Sequence, residues 1–494
     1  MSLEKVQILD STTMVDAAED KAAVPLELED QTIIAVAIPA IAIEFSGLSQ
    51  ISWVASAYFL TATGFIPTWG QLSNILGRKT AFLIAVSIFE LGSAMCGAAP
   101  SLTFLIVSRA IAGLGGGGIF IPIEKRSSYL GIIGGCFGIA SVAGPLLGGT
   151  FLPIGAITVL VIVVYLNLGK RSSSFWDGVK RIDVMGSLLL VAAVACLVLC
   201  LVNGGTVYAW NSGFVIGFFV AAGVLIVLFV IVELRFAVEP VLPFGLLTNV
   251  SLTCSILASF FFGMTFFVLI NYLPYYYQIV DGDSATTAGL RILPFILGVV
   301  FASIVSGGAT AVTGWYWPFF PIGGALVITG AVLTSTLDEF SGTAMQIGYL
   351  LLAGVGGGAL IQTLLIAAQA SAKTEDDVPT ATALSNFGQT LGAVVGIAIC
   401  ANVFNNQTTT GINNYLSTLP AAAVAQLPPA EAILGNVGVL QFITPPYKAG
   451  YIHAIVGAVQ LNFKLAAGFA ALALLLSLFI KKSKLTGAIA LSPA

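Results

Sequence analysis

The amino-acid sequence predicts an all-α polytopic membrane protein, built from two six-helix halves and two extra linker spans, with about 14 transmembrane helices. Hydrophobic residues make up 57% and charged residues 9% of its 494 residues, whereas charged residues are about a quarter of a soluble domain. The mean hydropathy is +1.00, and apolar stretches of membrane-spanning length recur along the chain. This composition excludes a soluble globular enzyme, and the net charge of −4 gives no indication of nucleic-acid binding.

Fourteen apolar segments are candidate transmembrane helices, numbered here in chain order. They lie near residues 31–45, 51–73, 80–99, 102–123, 129–152, 153–168, 184–203, 213–234, 250–278, 288–312, 315–336, 346–371, 381–403 and 463–480. Segments 5 and 6 meet at Leu152 and Pro153 without a polar loop, so the proline is where the helix must break. The acidic stretch 1–29 lacks the basic and apolar regions of a signal peptide and is expected to be a cytoplasmic tail.

The basic residues predict the orientation of these segments, because cytoplasmic connections carry an excess of Lys and Arg. Of the 19 basic residues, most follow even-numbered segments, and Lys5 and Lys21 lie in the N-terminal tail. Those that follow even-numbered segments are Arg78, Lys79, Lys125, Arg126, Lys170, Arg171, Lys180, Arg181, Arg235, Lys373, Lys481, Lys482 and Lys484. Both termini are therefore predicted to be cytoplasmic.

The chain also repeats part of its own sequence. The run Ala-Gly-Leu-Gly-Gly-Gly-Gly at 112–118 corresponds to Ala-Gly-Val-Gly-Gly-Gly-Ala at 353–359, about 240 residues later. At a similar offset, Gly70 and Gly77 correspond to Gly307 and Gly314. Repeated halves around a midplane cavity are typical of secondary transporters.

This repeat predicts the domain organisation. The predicted parts are a cytoplasmic N-terminal tail (1–29), an N-terminal six-helix half (30–182), a two-span insert (183–248), a C-terminal six-helix half (249–482) that contains a long extracellular loop (404–462), and a cytoplasmic tail (483–494).

Segment 4 contains an arginine, Arg109, followed by glycine at five of the six positions from Gly113 to Gly118. A guanidinium in the hydrocarbon region is costly unless it faces protein or a water-filled cavity, so Arg109 is predicted to point inward. The glycines let a neighbouring helix backbone approach closely. The same residues are also compatible with plain packing, in which Arg109 makes a structural ion pair.

Two further glycine motifs occur. The stretch from Gly70 to Lys79 has glycines seven residues apart and ends in a basic pair, which predicts a tight cytoplasmic turn. Its cations either bond helix-end carbonyls or simply anchor the turn at the membrane. In segment 5, the stretch from Gly144 to Gly149 predicts a close-packing helix face with a bend at its proline.

Together these features resemble the major facilitator superfamily, and in particular its fungal fourteen-span drug:proton antiporter branch, which includes mycotoxin and multidrug efflux pumps. The resemblance extends over about residues 30–482. It is carried by Asp30-Gln-Thr-Ile-Ile and Ala37-Ile-Pro in segment 1, Gly70 to Lys79, Arg109 with Gly113 to Gly118, Gly144 to Gly149, Asp377-Val-Pro-Thr-Ala-Thr-Ala-Leu and Asn402-Val-Phe-Asn-Asn-Gln. It implies the major facilitator fold, with the substrate between the two halves.

The resemblance also implies roles for residues at matching positions. Asp30 and Arg109 match positions linked to proton coupling. The gating motif corresponds to Gly70, Gly77, Arg78 and Lys79, and the antiporter motif to Gly144, Pro145, Gly148 and Gly149. Asn74 stands where the broader superfamily usually has an aspartate.

The protonatable residues restrict the route of any proton. His453, the only histidine, lies after segment 13, so a proton pathway through the membrane must use carboxylates. The candidates are Asp30, at the margin of segment 1, and Glu90, in the middle of segment 3. Asp30 alone would also suit a solvated helix start, and a structural role is favoured for Glu90.

The substrate contacts are the least defined part of the prediction. Asn271 and Tyr272 near the end of segment 9, and Gln362 and Gln369 on segment 12, are polar or aromatic groups that could line the cavity of an amphiphile. Residues 275–277, all tyrosines, are equally typical of an interfacial aromatic belt.

The predicted function is that of a proton-coupled secondary transporter, not an enzyme, which exports hydrophobic organic compounds such as a drug, toxin or secondary metabolite by alternating access. Its expected partners are the substrate, protons and the lipid bilayer, with no nucleic acid. No metal site, nucleotide-binding loop or nucleophile constellation occurs, and no cofactor is implied. We expect a monomer in the plasma membrane, with the vacuolar membrane as the alternative.

Two other functions stay open at this point. One is uptake or vacuolar import of a charged metabolite, such as a basic amino acid or a siderophore, on the same scaffold. The other is a non-transporting degenerate paralogue, which is indicated by the short first segment and by the shortened connections between segments 4 and 5 and between segments 5 and 6.

Overall fold

The computed structural model describes residues 52–119, 183–205, 208–237, 240–372, 374, 377–435 and 437–484. Within these ranges the regular structure is helical, apart from isolated bridges that pair Gly204 with Tyr208 and Trp315 with Lys484. The helices are α1 (Ser52–Leu76), α2 (Arg78–Gly97), α3 (Leu102–Ile119), α4 (Val184–Asn203), α5 (Gly213–Arg235), α6 (Phe244–Leu247), α7 (Val250–Val280), α8 (Ala285–Arg291), α9 (Leu293–Thr313), α10 (Phe319–Thr334), α11 (Thr343–Ala370), α12 (Asp377–Ser417), α13 (Ala421–Val424), α14 (Ala430–Gly435) and α15 (Pro445–Ser477), with a 3₁₀ turn at Val437–Phe442.

Most of these helices are long and apolar enough to cross a membrane. Nine in the described ranges meet that description, and the 25-residue α1 and the shorter apolar α10 also belong to the described part of the bundle. Eleven of the fourteen predicted segments therefore coincide with helices. The segments near 31–45, 129–152 and 153–168 lie outside the described residues, so the total of fourteen stays a prediction.

The two copies of the sequence repeat pack in the same way. A Cβ atom added at Gly113 of α3 would lie 2.3 Å from the carbonyl oxygen of Tyr58 in α1. One added at Gly354 of α11 would lie 2.1 Å from the carbonyl oxygen of Phe295 in α9. Equivalent close contacts between the same helices join Gly117 to Ala62 and Gly358 to Val299. On α2, Gly92 lies equally close to Ala112 of α3, and on α10, Gly330 lies equally close to Ala353 of α11. Helices α1–α3 thus have their counterparts in α9–α11.

The C-terminal half has one continuous apolar core. Buried side chains from α7, α9, α10, α11, α12 and α15 contribute to it, whereas α1–α3 enclose a smaller cluster of their own. Helices in a membrane associate through close van der Waals packing, which explains why small residues and large aromatic rings alternate at these contacts. Phe262 and Tyr276 are examples of the aromatic rings, each about 1% exposed.

The predicted loop 404–462 differs from the structure. Helix α12 continues to Ser417 and α15 already begins at Pro445, so the connection consists of residues 418–444. The Asn- and Thr-rich sequence of 402–414 lowers the local hydropathy, which is why it suggested a loop. It stays helical because Ile412, Ile433 and Tyr451 are buried together at this end of the bundle, and the Tyr451 hydroxyl donates to the Pro428 carbonyl at 2.6 Å.

Helices α4 and α5 form a hairpin on the side of the bundle. The Thr68 hydroxyl of α1 donates to the Ser187 hydroxyl of α4 at 3.0 Å, and Val194 and Val198 of α4 share an apolar cluster with Val394 of α12. Helix α5 packs against α4 and carries many exposed apolar side chains, as expected of a helix that faces lipid. The insert is therefore attached to both halves, through α1 and α12.

Substitution of Gly205 should detach the loop of this hairpin from α12. Gly205 has φ +75°, and an added Cβ would lie 2.0 Å from Asn402 Oδ1 and 2.5 Å from Trp210 Nε1. We expect Gly205→Ala to destabilise the protein by about 2 kcal/mol through backbone strain and the clash, and to lower the thermal unfolding midpoint. Gly223→Ala, on α5 with open space around it, is the matched control and should leave the midpoint unchanged or higher. An equal response of the two variants would contradict the docking contact.

Candidate functional site at the seam between the halves

Among the described residues, the halves meet where α1 contacts α12 and α7, a contact surface that we call the seam. Near one end of the seam, a Cβ added at Gly70 of α1 would lie 2.7 Å from the Cβ of Ala383 in α12. Further along α1, the Phe59 ring meets the Phe267 ring of α7 edge to face, with 6.0 Å between centroids. Any rocking of one half against the other must therefore move α1 along α12 and α7.

The predicted gating turn begins where α1 ends. Gly77 separates Leu76 of α1 from Arg78 of α2 and has φ +82°, a conformation that strongly favours glycine. Gly314, its counterpart in the repeat, ends α9 with φ +74°. The side chains of Arg78 and Lys79 lie outside the described part of the structure, so their bonding to helix-end carbonyls stays a prediction. The turn itself depends on Gly77.

Arg109 points into the protein, as its position in an apolar segment predicted. It is 2% exposed, and its Nε donates to the Val54 carbonyl oxygen at 3.2 Å. Its guanidinium carbon lies 4.5 Å from the centroid of the Tyr58 ring, a cation–π contact. Both partners belong to α1, so the buried cation joins α3 to the helix that forms the seam. Asp30, the predicted carboxylate, lies outside the described residues, as do Gly144, Pro145, Gly148 and Gly149.

The glycine run of α3 serves close packing on two sides. A Cβ at Gly115 would lie 2.3 Å from the Phe89 nitrogen of α2, and one at Gly118 would lie 2.6 Å from the Trp69 ring of α1. The Trp69 indole donates to the Leu114 carbonyl at 2.8 Å. Glycine at these positions lets α1, α2 and α3 pack at backbone distance, as both interpretations of the motif require.

Glu90, for which the sequence favours a structural role, and His453, which it excludes as a relay through the membrane, lie on α2 and α15. Glu90 is half-buried on α2, which packs against α1 and α3. His453 lies in the first turns of α15, where its side chain is 81% exposed and its Nδ1 is 2.9 Å from Glu339 Oε1. The imidazole is thus at one end of the bundle.

The four predicted substrate contacts form two separate groups. Asn271 donates to the Phe267 carbonyl of its own helix, and Tyr272 packs against Phe404 of α12 with 5.6 Å between ring centroids. Gln362 and Gln369 are buried on α11, and in the described part of the chain neither Nε2 atom has a hydrogen-bond partner.

These two groups lie at different depths of the bundle. Ser255 of α7 donates to the carbonyl of Leu364, which places the glutamines of α11 beside the start of α7. The stretch of α7 from Ser255 to Tyr272 is about 25 Å long at 1.5 Å per residue. One small molecule therefore cannot contact all four residues at once.

One polar group beside Tyr272, the amide of Asn462, has no motif in the sequence that marks it. Asn462 of α15 is fully buried, and its Nδ2 donates to the Cys400 carbonyl of α12 at 3.0 Å, while its Oδ1 has no hydrogen-bond partner in the described part. The Tyr272 hydroxyl lies beside this amide. A buried amide in a membrane helix is a functional candidate. Because Asn462 falls within the predicted loop 404–462, nothing in the sequence indicated that it lies buried in a helix.

Comparisons with known proteins agree with this geometry. The family model of the Major Facilitator Superfamily matches residues 30–397. The MFS-type efflux pump MFS1 of Trichophyton rubrum is 36% identical over 473 residues, covering 90% of this chain and 87% of that protein. The efflux pump aflT of Aspergillus parasiticus is 35% identical over 468 residues, covering 88% and 89%.

Solved structures share the fold at low sequence identity. The human organic anion transporter MFSD10 superposes with a TM-score of 0.61 at 14% identity, covering 94% of this chain and 99% of that one. The proton:xylose symporter XylE gives a TM-score of 0.54 at 12% identity, covering 96% and 97%. From the family match, the relatives and the shared fold, we conclude that the chain belongs to the Major Facilitator Superfamily and is a membrane transporter, not an enzyme.

Proposed function

We propose that this protein is a proton-coupled antiporter of the fourteen-span drug:proton branch, which exports hydrophobic organic compounds across the plasma membrane. The observation that carries the proposal is its similarity, over about nine-tenths of the chain, to fungal proteins named as efflux pumps. The many exposed apolar side chains of α5 suit a membrane-embedded carrier. The chain is expected to work as a monomer.

Alternating access in this protein would use the seam. The halves are internally rigid because glycine contacts bring α3 and α11 against their neighbours at backbone distance. Between the halves, the close contact at Gly70 and the ring contact at Phe59 are the places that must rearrange. Motion at the seam rather than within a half would expose the substrate site to one side and then to the other.

The two groups of candidate substrate contacts suit opposite steps of such a cycle. Asn271 and Tyr272, with Asn462, lie towards the end of the bundle that carries the 418–444 connection. Gln362 and Gln369 lie towards the predicted cytoplasmic end. We assign the glutamines to substrate capture from the cytoplasm and the other group to release.

Proton coupling would connect Asp30 with Arg109. A buried guanidinium held against α1 responds to the charge of a nearby carboxylate, because Coulomb interactions are strong where water is excluded. Protonation of Asp30 would remove that charge and alter how Arg109 holds α1 at the seam. His453 does not take part, because it is exposed at the end of the bundle.

Asp30→Asn should abolish export driven by a pH gradient. The test uses purified protein in proteoliposomes, a panel of hydrophobic fluorescent dyes and an imposed pH gradient, with uphill dye movement as the measurement. We expect at least a 100-fold loss of uphill transport, since the amide cannot exchange a proton. Glu90→Gln is the control and should retain most of the activity.

The same assay separates the alternative functions. Unchanged uphill export by Asp30→Asn would refute the coupling assignment. Movement only in the inward direction, and only of charged metabolites, would favour uptake or vacuolar import. If correctly inserted wild-type protein moves no compound of a broad panel, a non-transporting paralogue is the better description.

A further inference from the structure

The segment that follows α15, residues 478–484, is fixed against the turn between α9 and α10. The Tyr316 hydroxyl donates to the Lys481 carbonyl at 2.9 Å and lies 2.8 Å from the Ser483 hydroxyl. The Lys481 nitrogen donates to the Ser251 hydroxyl at the start of α7 at 3.0 Å. The backbone of Lys484 pairs with that of Trp315. This segment is therefore held at four places by the body of the C-terminal half.

Three lysines of this segment form a basic patch, which we define as Lys481, Lys482 and Lys484. All three are exposed, and the Lys482 ammonium lies 3.8 Å from the centroid of the Trp317 ring. Ion pairs elsewhere in the C-terminal half join Arg291 to Asp281 and Asp283, and His453 to Glu339. In that part of the structure, no carboxylate lies within ion-pair distance of the basic patch.

The position of the basic patch just after α15 fits the depth of the lipid headgroups. Lys464 is exposed in α15, and the helix continues from it to Ser477 for about 20 Å. Residues 478–480 then connect the helix to the basic patch, so most of the thickness of a bilayer's hydrocarbon region separates Lys464 from the patch. Trp315, 45% exposed, and Trp317 lie beside the lysines, as aromatic residues do at a membrane interface. The distribution of basic residues predicts that this is the cytoplasmic side.

We propose that Lys481, Lys482, Lys484 and Trp315 form a binding site for the headgroup of an anionic phospholipid of the cytoplasmic leaflet. Three ammonium groups within four residues of a fixed backbone complement a phosphate and a second negative charge in the headgroup. The exposed indole of Trp315 suits the interface between headgroup and acyl chains. A bound lipid would bridge the end of α15, the start of α7 and the turn at Gly314, which is the repeat counterpart of the gating turn at Gly77.

The test measures lipid-dependent stability of the full chain in neutral detergent micelles. We expect added phosphatidylserine, but not phosphatidylcholine, to raise the thermal unfolding midpoint by about 5 °C, because a ligand of the folded state stabilises it. Each Lys→Gln change in the basic patch should weaken the apparent phosphatidylserine affinity about fivefold, and the triple variant should lose the response. Lys448→Gln, near the start of α15 at the other end of the bundle, is the control.

Two results would overturn the proposal. One is an equal response to both lipids, or a triple variant that responds to phosphatidylserine like the wild type. The other is binding of the acidic N-terminal stretch to the basic patch. The full-length triple variant Asp16→Asn, Glu19→Gln, Asp20→Asn tests for it. If that variant and the triple lysine variant lower the midpoint equally without lipid, and phosphatidylserine has no effect on the wild type, the basic patch binds the chain itself. These readouts do not depend on transport.

Discussion

Gly358→Ala should prevent the C-terminal half from packing, whereas Gly357→Ala should be tolerated. A Cβ at Gly358 would lie 2.0 Å from the Val299 carbonyl oxygen, a backbone atom of α9 that cannot move without shifting that helix. At Gly357 the nearest atoms, in Val299 and Phe266, are 3.8 Å away, which is ordinary van der Waals contact. We expect a loss of about 3 kcal/mol or more for Gly358→Ala.

The measurement is the yield and thermal midpoint of detergent-solubilised protein by size-exclusion chromatography. Gly357→Ala should be neutral or slightly stabilising, since alanine favours the helix by up to about 1 kcal/mol over glycine. The two residues are neighbours on one helix, so expression and membrane insertion are matched. If both variants lose folded protein alike, the close approach of α11 to α9 is not the cause of the glycine requirement.

Gly70→Ala should impair transport without unfolding the protein, and Ala383→Gly in the same chain should restore it. The Cβ of alanine at position 70 would lie 2.7 Å from the Ala383 Cβ, about 1 Å inside normal contact. The next atoms, at Pro379 and Thr380, are 3.8 Å away. Removing the Ala383 methyl therefore removes the only clash under 3 Å at this position. The clash affects the seam and not the interior of either half.

We expect Gly70→Ala to lower the dye transport rate about tenfold, equivalent to about 1.4 kcal/mol. The double variant should recover most of that rate, and Ala383→Gly alone should be nearly normal. The thermal midpoint, measured in parallel, should change little in all three variants. If the double variant is as slow as Gly70→Ala, the glycine acts through something other than its distance from α12.

Much of the architecture was predictable because it depends on local sequence. Helix positions followed from apolar segments of membrane length, and the correspondence of α1–α3 with α9–α11 followed from matching glycines. The inward position of Arg109 followed from the cost of a guanidinium in hydrocarbon. These inferences needed only residue type and spacing.

Other features depend on contacts between residues far apart in the chain. Residues 404–417 and 445–462 are helical and pack together, with Ile412 and Tyr451 buried and the Tyr415 and Tyr451 rings 5.9 Å apart, which hydropathy alone does not reveal. The depth of Tyr272 and Gln362 in the bundle depends on how α7 packs beside α11. For the same reason, the sequence did not single out Asn462 beside Tyr272.

The fold class, the repeat and the membrane-spanning character can be read from residue type and spacing alone, because the bilayer imposes length and polarity on every segment independently. Only the tertiary structure decided where α4 and α5 dock, which atoms form the seam, and which polar groups meet in the interior. Those outcomes depend on the shape of surfaces that come together only when the helices pack, and van der Waals contact between helices is effective only at short range.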